Sequence, residues 1–285
     1  QFGEGHKIFD QSVFGGGEVA FKRCDFGAGK TDFRRIQFGD GNVTFEESIF
    51  TSGKVNFKSS DFGHGEVNFH MVNFGADSAI FDNAKFGTGN VSFYHSISSQ
   101  LSFIECELET FVDLRVDKCG YLDLTDCINR DIIELQDTKG RAKVSVLNFT
   151  GMRNLGQLYL GWNESNIFDI IVNQKEKTTN RQKSEQFRML KENFHNLGHY
   201  DDEDYAYVEF KRHELIAKTE EAIAVNSANK FWAYPRTAFE YFIFDKIGLY
   251  ATNPVRVLLS SILIYIAFSL TYFVLPHFEK GSEIV

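Results

Sequence analysis

The first third of the chain alternates apolar and polar positions around a regular lattice of phenylalanines. One series of Phe stands at a constant interval at positions 2, 14, 26, 38, 50, 62, 74 and 86, and a second series, Phe9 to Phe93, lies seven positions after the first. The residue two before most of these Phe is small or apolar and the residue between is usually polar, as in Cys24-Asp25-Phe26. Because side chains alternate between the faces of a strand, each Phe shares a face with its i−2 neighbour. The pattern predicts short strands repeated at fixed intervals, which is a β-solenoid.

The two series define the predicted core and the predicted corners of the solenoid. The rings expected to form an inward-facing ladder are Phe9, Phe14, Phe21, Phe26, Phe33, Phe38, Phe45, Phe50, Phe57, Phe62, Phe69, Phe74, Phe81, Phe86 and Phe93. Between the series the chain reads F-G-x-G-x-V-x-F, and its glycines supply the φ freedom that a corner needs. The predicted corner residues are Gly15, Gly17, Gly27, Gly29, Gly39, Gly41, Gly63 and Gly65.

The volume of the rings bears on the length of one coil. At roughly 3.3 Å per residue, a coil of about 12 residues has a perimeter of only about 40 Å, which is too tight for two Phe and two smaller side chains. A coil of about 24 residues with four sides doubles that perimeter and holds four Phe. We therefore expect the longer coil, which covers two intervals of each Phe series.

The small–polar–Phe triplet resembles the pentapeptide-repeat family, whose fold is a right-handed, four-sided parallel β-helix. The spacing departs from the family, because the intervals between Phe residues alternate between 5 and 7. The resemblance implies such a β-helix over residues 1–172, with two longer sides in each coil. Triplets such as Val112-Asp113-Leu114 continue the pattern beyond Ser98, and strands are predicted at Lys143–Phe149, Gln157–Trp162 and Asn166–Val172 as the closing coils.

Residues 173–230 change to a helical pattern. Phe187, Leu190, Phe194 and Leu197 follow one another at spacings of 3, 4 and 3, which places them on one face of a helix that Gly198 should end. Asp201–Asp204 then opens a second helix that reaches at least Ala224, since acidic residues favour a helix N-terminus. The two helices are predicted to form an αα-hairpin.

The C-terminal part has the pattern of a membrane segment. Residues 231–256 are rich in aromatic side chains and are predicted to lie at a membrane interface, and residues 257–275 contain no charge and are long enough for a transmembrane helix. The alternative for residues 257–275 is a buried core helix. A short tail, 276–285, follows them. The predicted membrane-flanking residues are Trp232, Arg236, Lys246, Tyr250 and Arg256. Three cations precede the apolar run and Lys280 follows it, so the positive-inside rule places the solenoid in the cytoplasm and the chain in the cell (inner) membrane.

The helical and membrane segments together resemble bacterial pentapeptide-repeat proteins that carry a two-transmembrane potassium-channel-type pore. The residues that carry the resemblance are Phe187–Phe194, Leu197-Gly198, Glu203-Asp204, Gly248-Leu249-Tyr250, Asn253-Pro254 and Val255–Leu258. The resemblance implies a cytoplasmic regulatory or assembly domain and the first membrane helix of a channel-like protein, assembled as a homo-oligomer in the lipid bilayer. No pore helix or filter motif precedes Val285, and the chain opens on Gln1, so we expect a fragment or a processed product. The alternative function is a membrane-anchored scaffold for protein partners without a pore.

The net charge and the types and positions of the polar side chains argue against several other classes of function. A net charge of −9 argues against nucleic-acid binding. A gyrase-directed DNA mimic needs a strongly acidic face, but residues 1–97 carry 12 acidic against 9 basic residues, a balance of only −3. His195 and His199 stand four apart, but a helix end at Gly198 would separate them, so no metal site is predicted. We expect no catalytic residues and no cofactor, and four reduced cysteines, with Cys24 in the solenoid core.

Overall fold

The chain forms a parallel β-solenoid of about six turns, followed by helices. The computed structural model describes residues 1–174 and 178–281, with side chains described as far as Phe273. Val19 pairs with Val43, Val43 with Val67, and Val67 with Val91. Each step covers two intervals of the Phe series, so the predicted length of one coil is confirmed.

Parallel bridges join successive coils along four ladders, and the fourth ladder merges with the first at the strand Ile97–Ser102. The first ladder contains Lys7–Ile8, Thr31–Asp32, Val55–Asn56, Ser78–Ile80, Ile97–Ser102, Lys118–Asp123 and Leu147–Asn148. The second joins Val13, Gln37, Asp61 and Lys85 by single bridges and continues as Lys85–Phe86, Glu107–Leu108, Ile128–Asn129 and Arg153–Asn154. The third contains Val19–Ala20, Val43–Thr44, Val67–Asn68, Val91–Ser92, Val112–Asp113, Ile132–Glu134 and Gln157–Tyr159. The fourth pairs Asp25–Ala28 with Ile49–Ser52 and continues by single bridges through Asn73 to Ile97.

The phenylalanines fill the interior as four columns of stacked rings. Rings at the same position in successive coils lie nearly parallel, as in Phe26 and Phe50, whose centroids are 4.4 Å apart with planes 10° from parallel. Rings on adjacent sides meet edge to face, as in Phe45 and Phe57 at 5.3 Å and 83°. Every ring of the two series from Phe26 to Phe93 is buried, whereas Phe9, Phe14 and Phe21 are half-buried and Phe2 is 44% exposed. Aromatic packing of both preferred geometries therefore forms the core.

The tight turns of each coil follow the Phe residues of the second series. The left-handed position of these turns is occupied by residues other than glycine. Ser48 N–H donates to Phe45 O at 3.0 Å, and the residue before Ser48, Glu47, has a φ of 56°. The same left-handed conformation recurs once in each interval of the Phe series, as at Ser59 and Met71. The polar residue before the Phe supports the turn, since Asn68 Oδ1 accepts a hydrogen bond from His70 N–H at 2.8 Å. Such side-chain acceptors are typical of turns.

The glycines lie where backbone passes close to backbone in the next coil. A Cβ built on Gly41 would fall well inside van der Waals contact of Gly17 O, although neither residue has a left-handed φ. Of the predicted corner residues, Gly27, Gly29, Gly39 and Gly63 have a φ between 64° and 102°. Gly15, Gly17, Gly41 and Gly65 do not, and Gly41 and Gly65 are restricted by the coil beneath them.

The last part of the predicted solenoid is helical rather than extended. The final strand is Gln157–Tyr159, and the strand predicted at Asn166–Val172 is wrong, because Ile167–Val172 forms helix α1. Ile167, Ile170 and Ile171 are buried, at spacings of 3 and 1 that suit one face of a helix. Asn166 begins the helix with a φ of 54°.

Two long helices follow the solenoid. Helix α2, Asn180–Leu197, starts at a capping box formed by Thr179 and Gln182 and ends at Gly198, whose φ is 74°. The prediction that Gly198 ends this helix is therefore confirmed. Helix α3, Tyr200–Val225, has Asp201, Asp202 and Glu203 in its first turn.

Helix α2 closes the C-terminal end of the solenoid with side-chain amides. Asn193 Oδ1 accepts from Leu158 N–H at 2.9 Å while Asn193 Nδ2 donates to Leu158 O at 2.9 Å, so one amide replaces a neighbouring strand. Gln186 Oε1 accepts from Phe149 N–H at 2.9 Å. The amides lie beside the buried side chains of Phe187 and Phe194 on α2. Strand edges that would otherwise be open are thus paired.

The chain divides into two units, Gln1–Ala206 and Tyr207–Val285. The second unit contains the rest of α3, a 3₁₀ turn Ser227–Asn229, helix α4 Lys230–Glu240, a π-helix Tyr241–Ile247, a 3₁₀ turn Leu249–Ala251 and helix α5 Pro254–Gly281. Helix α5 extends beyond both predicted bounds of the apolar helix, 257 and 275, and continues through Pro276.

Candidate membrane-attachment region

Helix α5 is the one helix in the described part of the chain that is long and apolar enough to cross a bilayer. Its apolar stretch, Pro254–Phe273, covers 20 residues, and none of that stretch is buried. Leu263, near the middle, is 67% exposed, and the leucine, isoleucine and phenylalanine side chains around it are also exposed. A helix that forms the core of a soluble domain would bury these side chains, so this apolar surface calls for an apolar partner.

The hydroxyl groups of α5 are satisfied by backbone carbonyls. Ser261 donates to Val257 O, Ser269 to Tyr265 O and Thr271 to Ala267 O, all at 2.8–2.9 Å. Ser260 donates to Ile247 O at 2.9 Å. Serine and threonine in a hydrocarbon environment need such partners, because no water is available there.

The aromatic segment, residues 231–256, is largely exposed. Trp232 is 83% exposed, and the other large exposed aromatic side chains of the segment are Phe231, Tyr234, Phe239, Tyr241, Phe242 and Phe244. Ala233, Thr237 and Glu240 are half-buried and face α3, where Thr219 and Thr237 share a hydrogen bond between their hydroxyls. A cavity of about 390 Å³ lies between these two helices, lined by Leu215, Lys218 and Trp232 among others.

A buried ion pair fastens the π-helix to α3. Asp245 is 1% exposed, and its carboxylate accepts from Arg212 Nε at 2.6 Å and from Arg212 Nη2 at 2.8 Å. Glu209 Oε1 accepts from Arg212 Nη1 at 2.6 Å. The hydrogen bonds that Arg212 donates to Asp245 raise the pKa of Arg212, while burial raises the pKa of Glu209. Bidentate geometry of this kind holds two elements in a fixed orientation.

The junction between the π-helix and α5 is strained. Leu249, Tyr250 and Ala251 have φ values of 44°, 51° and 65°, a left-handed turn built from three residues other than glycine. The Tyr250 hydroxyl is buried and has no hydrogen-bond partner within the described part of the chain, and burial raises its pKa to about 12. Arg256 Nε donates to Lys246 O at 3.2 Å across the junction. Such strain persists only where surrounding contacts hold it.

The predicted membrane-flanking residues differ in their surroundings. Trp232 and Lys246 are exposed, with Lys246 Nζ 5.1 Å from the centre of the Tyr241 ring. Arg236 is also exposed but pairs with Glu240 at 2.6 Å. Tyr250 and Arg256 are half-buried at the junction. Arg212 and Asp245 were not among the residues that the sequence singled out, and their only signal is an acidic residue, Asp245, within an aromatic run.

The weaker candidate sites in the first unit have structural partners. His195 Nδ1 lies 2.9 Å from Glu203 Oε2, and Asp202 Oδ2 accepts from Trp162 N–H at 3.2 Å. Among the described side chains, residues 1–174 and 178–273, no group of three or more His, Cys, Asp or Glu is placed to hold a metal ion.

The cysteines are free thiols within the described solenoid. Cys24 is half-buried, and Cys106, Cys119 and Cys127 are buried. Burial raises the pKa values of Cys119 and Cys127 to about 12. Thiols of such high pKa are poor nucleophiles.

Comparison with known proteins gives no relative from which a function could be transferred. No family model, no curated protein and no solved structure matches this chain.

Proposed function

We propose that this chain is a membrane-anchored β-solenoid, in which α5 spans the bilayer and the solenoid serves as a cytoplasmic regulatory or assembly domain. The observation that carries the proposal is the wholly exposed apolar surface of Pro254–Phe273. The internally satisfied hydroxyls of Ser261, Ser269 and Thr271 support it, because they suit a helix surrounded by lipid.

The orientation follows from the charges on the two sides of the span. Arg236, Lys246 and Arg256 precede its apolar middle, and Lys280 follows it. The positive-inside rule then places α3, α4 and the solenoid on the cytoplasmic side of the cell membrane. The four ladders of bridges and the four columns of stacked Phe rings that run through successive coils support the finer fold proposal. This is a right-handed, four-sided β-helix like that of pentapeptide-repeat proteins.

The more specific form of the proposal is a channel-like membrane protein. It rests on the resemblance of roughly residues 111–273 to pentapeptide-repeat proteins with a potassium-channel-type pore. In that form α5 is the first membrane helix and the chain is part of a homo-oligomer. A second apolar span with a filter motif after Val285 in the gene would support the pore, and its absence would leave the anchored scaffold.

Fractionation of the expressed chain tests the membrane anchor. The full chain should stay with the membranes after alkaline carbonate extraction. Leu263→Arg should reduce that retention, since a central arginine costs a spanning helix about 2.5–3.5 kcal/mol. Ile97→Arg, the same kind of change at an exposed apolar residue of the solenoid, should leave retention unchanged. A full chain that is soluble and monodisperse without detergent would rule out the anchor.

Labelling from the two sides of the membrane tests the orientation. Ser227 is exposed in the turn before α4, so Ser227→Cys provides a site for a membrane-impermeant maleimide. Labelling should occur in inside-out vesicles and not in intact cells. Labelling of intact cells would place the solenoid outside.

A further inference from the structure

Helix α4 and the π-helix together have two chemically opposite faces. The half-buried side chains of Ala233, Thr237 and Glu240 follow one another at spacings of 4 and 3, on the face toward α3. The opposite face is apolar: Phe231, Pro235, Phe239 and Phe242 stand at spacings of 4, 4 and 3, and all are exposed. Thr237 and Glu240 thus face α3 while the opposite face of the helix is apolar and exposed, the reverse of a soluble surface helix.

The exposed charges of this helix that have no ion-pair partner among the described residues are positive. Residues 230–256 contain two acidic side chains, of which Asp245 is buried against Arg212 and Glu240 pairs with Arg236. Lys230 and Lys246 are exposed, near the two ends of the helix, and the ion pairs found among the described residues give neither of them a carboxylate. Their ammonium groups lie 5.8 Å and 5.1 Å from the ring centres of Phe231 and Tyr241.

The position of the helix in the chain indicates which partner these features fit. Six residues, 248–253, separate the π-helix from α5 and can span at most about 20 Å. Arg256, in the first turn of α5, also donates to Lys246 O. If α5 enters a bilayer, the aromatic helix must therefore lie within reach of the lipid headgroups. Exposed aromatic rings with lysines beside them are typical of helices that lie on anionic membranes.

We propose that the helix formed by residues 230–247 lies on the bilayer surface and selects anionic phospholipids. The rings of Phe231, Phe239 and Phe242 enter the boundary between headgroups and acyl chains, and Lys230 and Lys246 bind lipid phosphates. This inference rests on the proposed function, because α5 brings the helix to the bilayer.

Tryptophan quenching in nanodiscs tests the inference on the full chain. Trp162→Phe leaves Trp232 as the only tryptophan, since the chain has two. The discs contain, at equal mole fraction, phosphatidylglycerol and phosphatidylcholine, with brominated acyl chains on either one lipid or the other. Brominated phosphatidylglycerol should quench Trp232 several-fold more than brominated phosphatidylcholine. Trp232→Phe, which reports on the buried Trp162 in the first unit, should show no quenching by either lipid.

The lysines are tested in the same single-tryptophan chain. Lys230→Gln combined with Lys246→Gln should keep Trp232 quenched but equalise the two lipids. Lys54→Gln combined with Lys58→Gln, at exposed solenoid positions, should preserve the preference for phosphatidylglycerol.

Each negative result of the quenching experiment overturns a different part of the proposal. Equal quenching by the two lipids in the chain with its lysines intact would overturn the selection of anionic lipid. Absence of quenching in discs that contain the chain would overturn the surface position of the helix and leave α5 as an anchor. A chain that does not enter the discs at all would overturn both this inference and the proposed function.

Discussion

The polar residue between the small residue and the Phe has a second role at the scale of single residues. Alternation along a strand requires only that this residue face outward. In the structure it also holds the following turn, because its side-chain oxygen accepts the N–H two residues later, as at Asp32, Asn56 and Asn68. The turn has a left-handed residue other than glycine, which costs energy that the side-chain hydrogen bond offsets. Asp and Asn are well suited to this position because their oxygen reaches the backbone two residues on.

Replacing Asn68 tests this role. Asn68→Ala removes the acceptor for His70 N–H and should lower the free energy of unfolding by about 1 kcal/mol. Asn68→Asp keeps an oxygen in the same place and should be close to neutral. Urea denaturation of the variants measures the difference, and equal losses for Ala and Asp would contradict the turn-supporting role.

Gly41 and Gly17, at the same position in successive coils, differ in whether a side chain would have room. They therefore test whether glycine is needed for close backbone contact or for a left-handed φ. Neither Gly41 nor Gly17 has a left-handed φ, and only Gly41 has backbone beneath it. Gly41→Ala should therefore destabilise the solenoid by about 1–3 kcal/mol through overpacking. Gly17→Ala should change stability by no more than about 0.5 kcal/mol. Thermal unfolding of the pair is the measurement, and a similar loss at both positions would show that close backbone approach is not the cause.

At the scale of elements, helix α2 pairs the open backbone groups at the C-terminal end of the solenoid. Its apolar stripe was readable from the spacing of Phe187, Leu190 and Phe194, but the surface that the stripe covers was not. The amides of Gln186 and Asn193 are seven residues apart, two helical turns, and reach backbone groups at Phe149, just after the strand Leu147–Asn148, and at Leu158 in the final strand. An open parallel ladder leaves N–H and C=O groups that a helix backbone cannot pair, since its own groups are already used. Side-chain amides, which donate and accept, solve this problem.

Asn193 and Asn196 offer a matched pair on the same helix. Asn193→Leu leaves Leu158 N–H and C=O buried without partners and should cost about 2–4 kcal/mol. Asn196 is exposed, so Asn196→Leu should have little effect. Hydrogen exchange at Leu158 N–H should accelerate in the first variant alone. Unchanged exchange there would contradict the capping role of Asn193.

At the scale of the whole molecule, the repeat allowed more to be predicted than the segments beyond it. The coil length could be derived because every coil repeats the same volume and strand constraints. Where the repeat ends, a local pattern becomes ambiguous: Ile167, Ile170 and Ile171 suit a buried strand or a helix, and packing selected the helix. The Arg212–Asp245 pair was not predictable, because it joins residues 33 apart that belong to no common motif. The apolar helix was readable from its length and lack of charge, although its ends were not.

We expect the first unit to fold without the second, and the second unit to contain the residues that bind the membrane. The core of the first unit, including the amides of α2 that close its end, lies within Gln1–Ala206, so removing later residues should not unfold it. A chain ending after Tyr250 should be soluble and folded but should float with phosphatidylglycerol vesicles, since it keeps the exposed aromatic rings beside Lys230 and Lys246. A chain ending after Val225, at the end of α3, should unfold at the same urea concentration and remain in the soluble fraction. Aggregation of both chains would show that the solenoid depends on the second unit, and flotation of the shorter chain would move the membrane contact away from the aromatic helix.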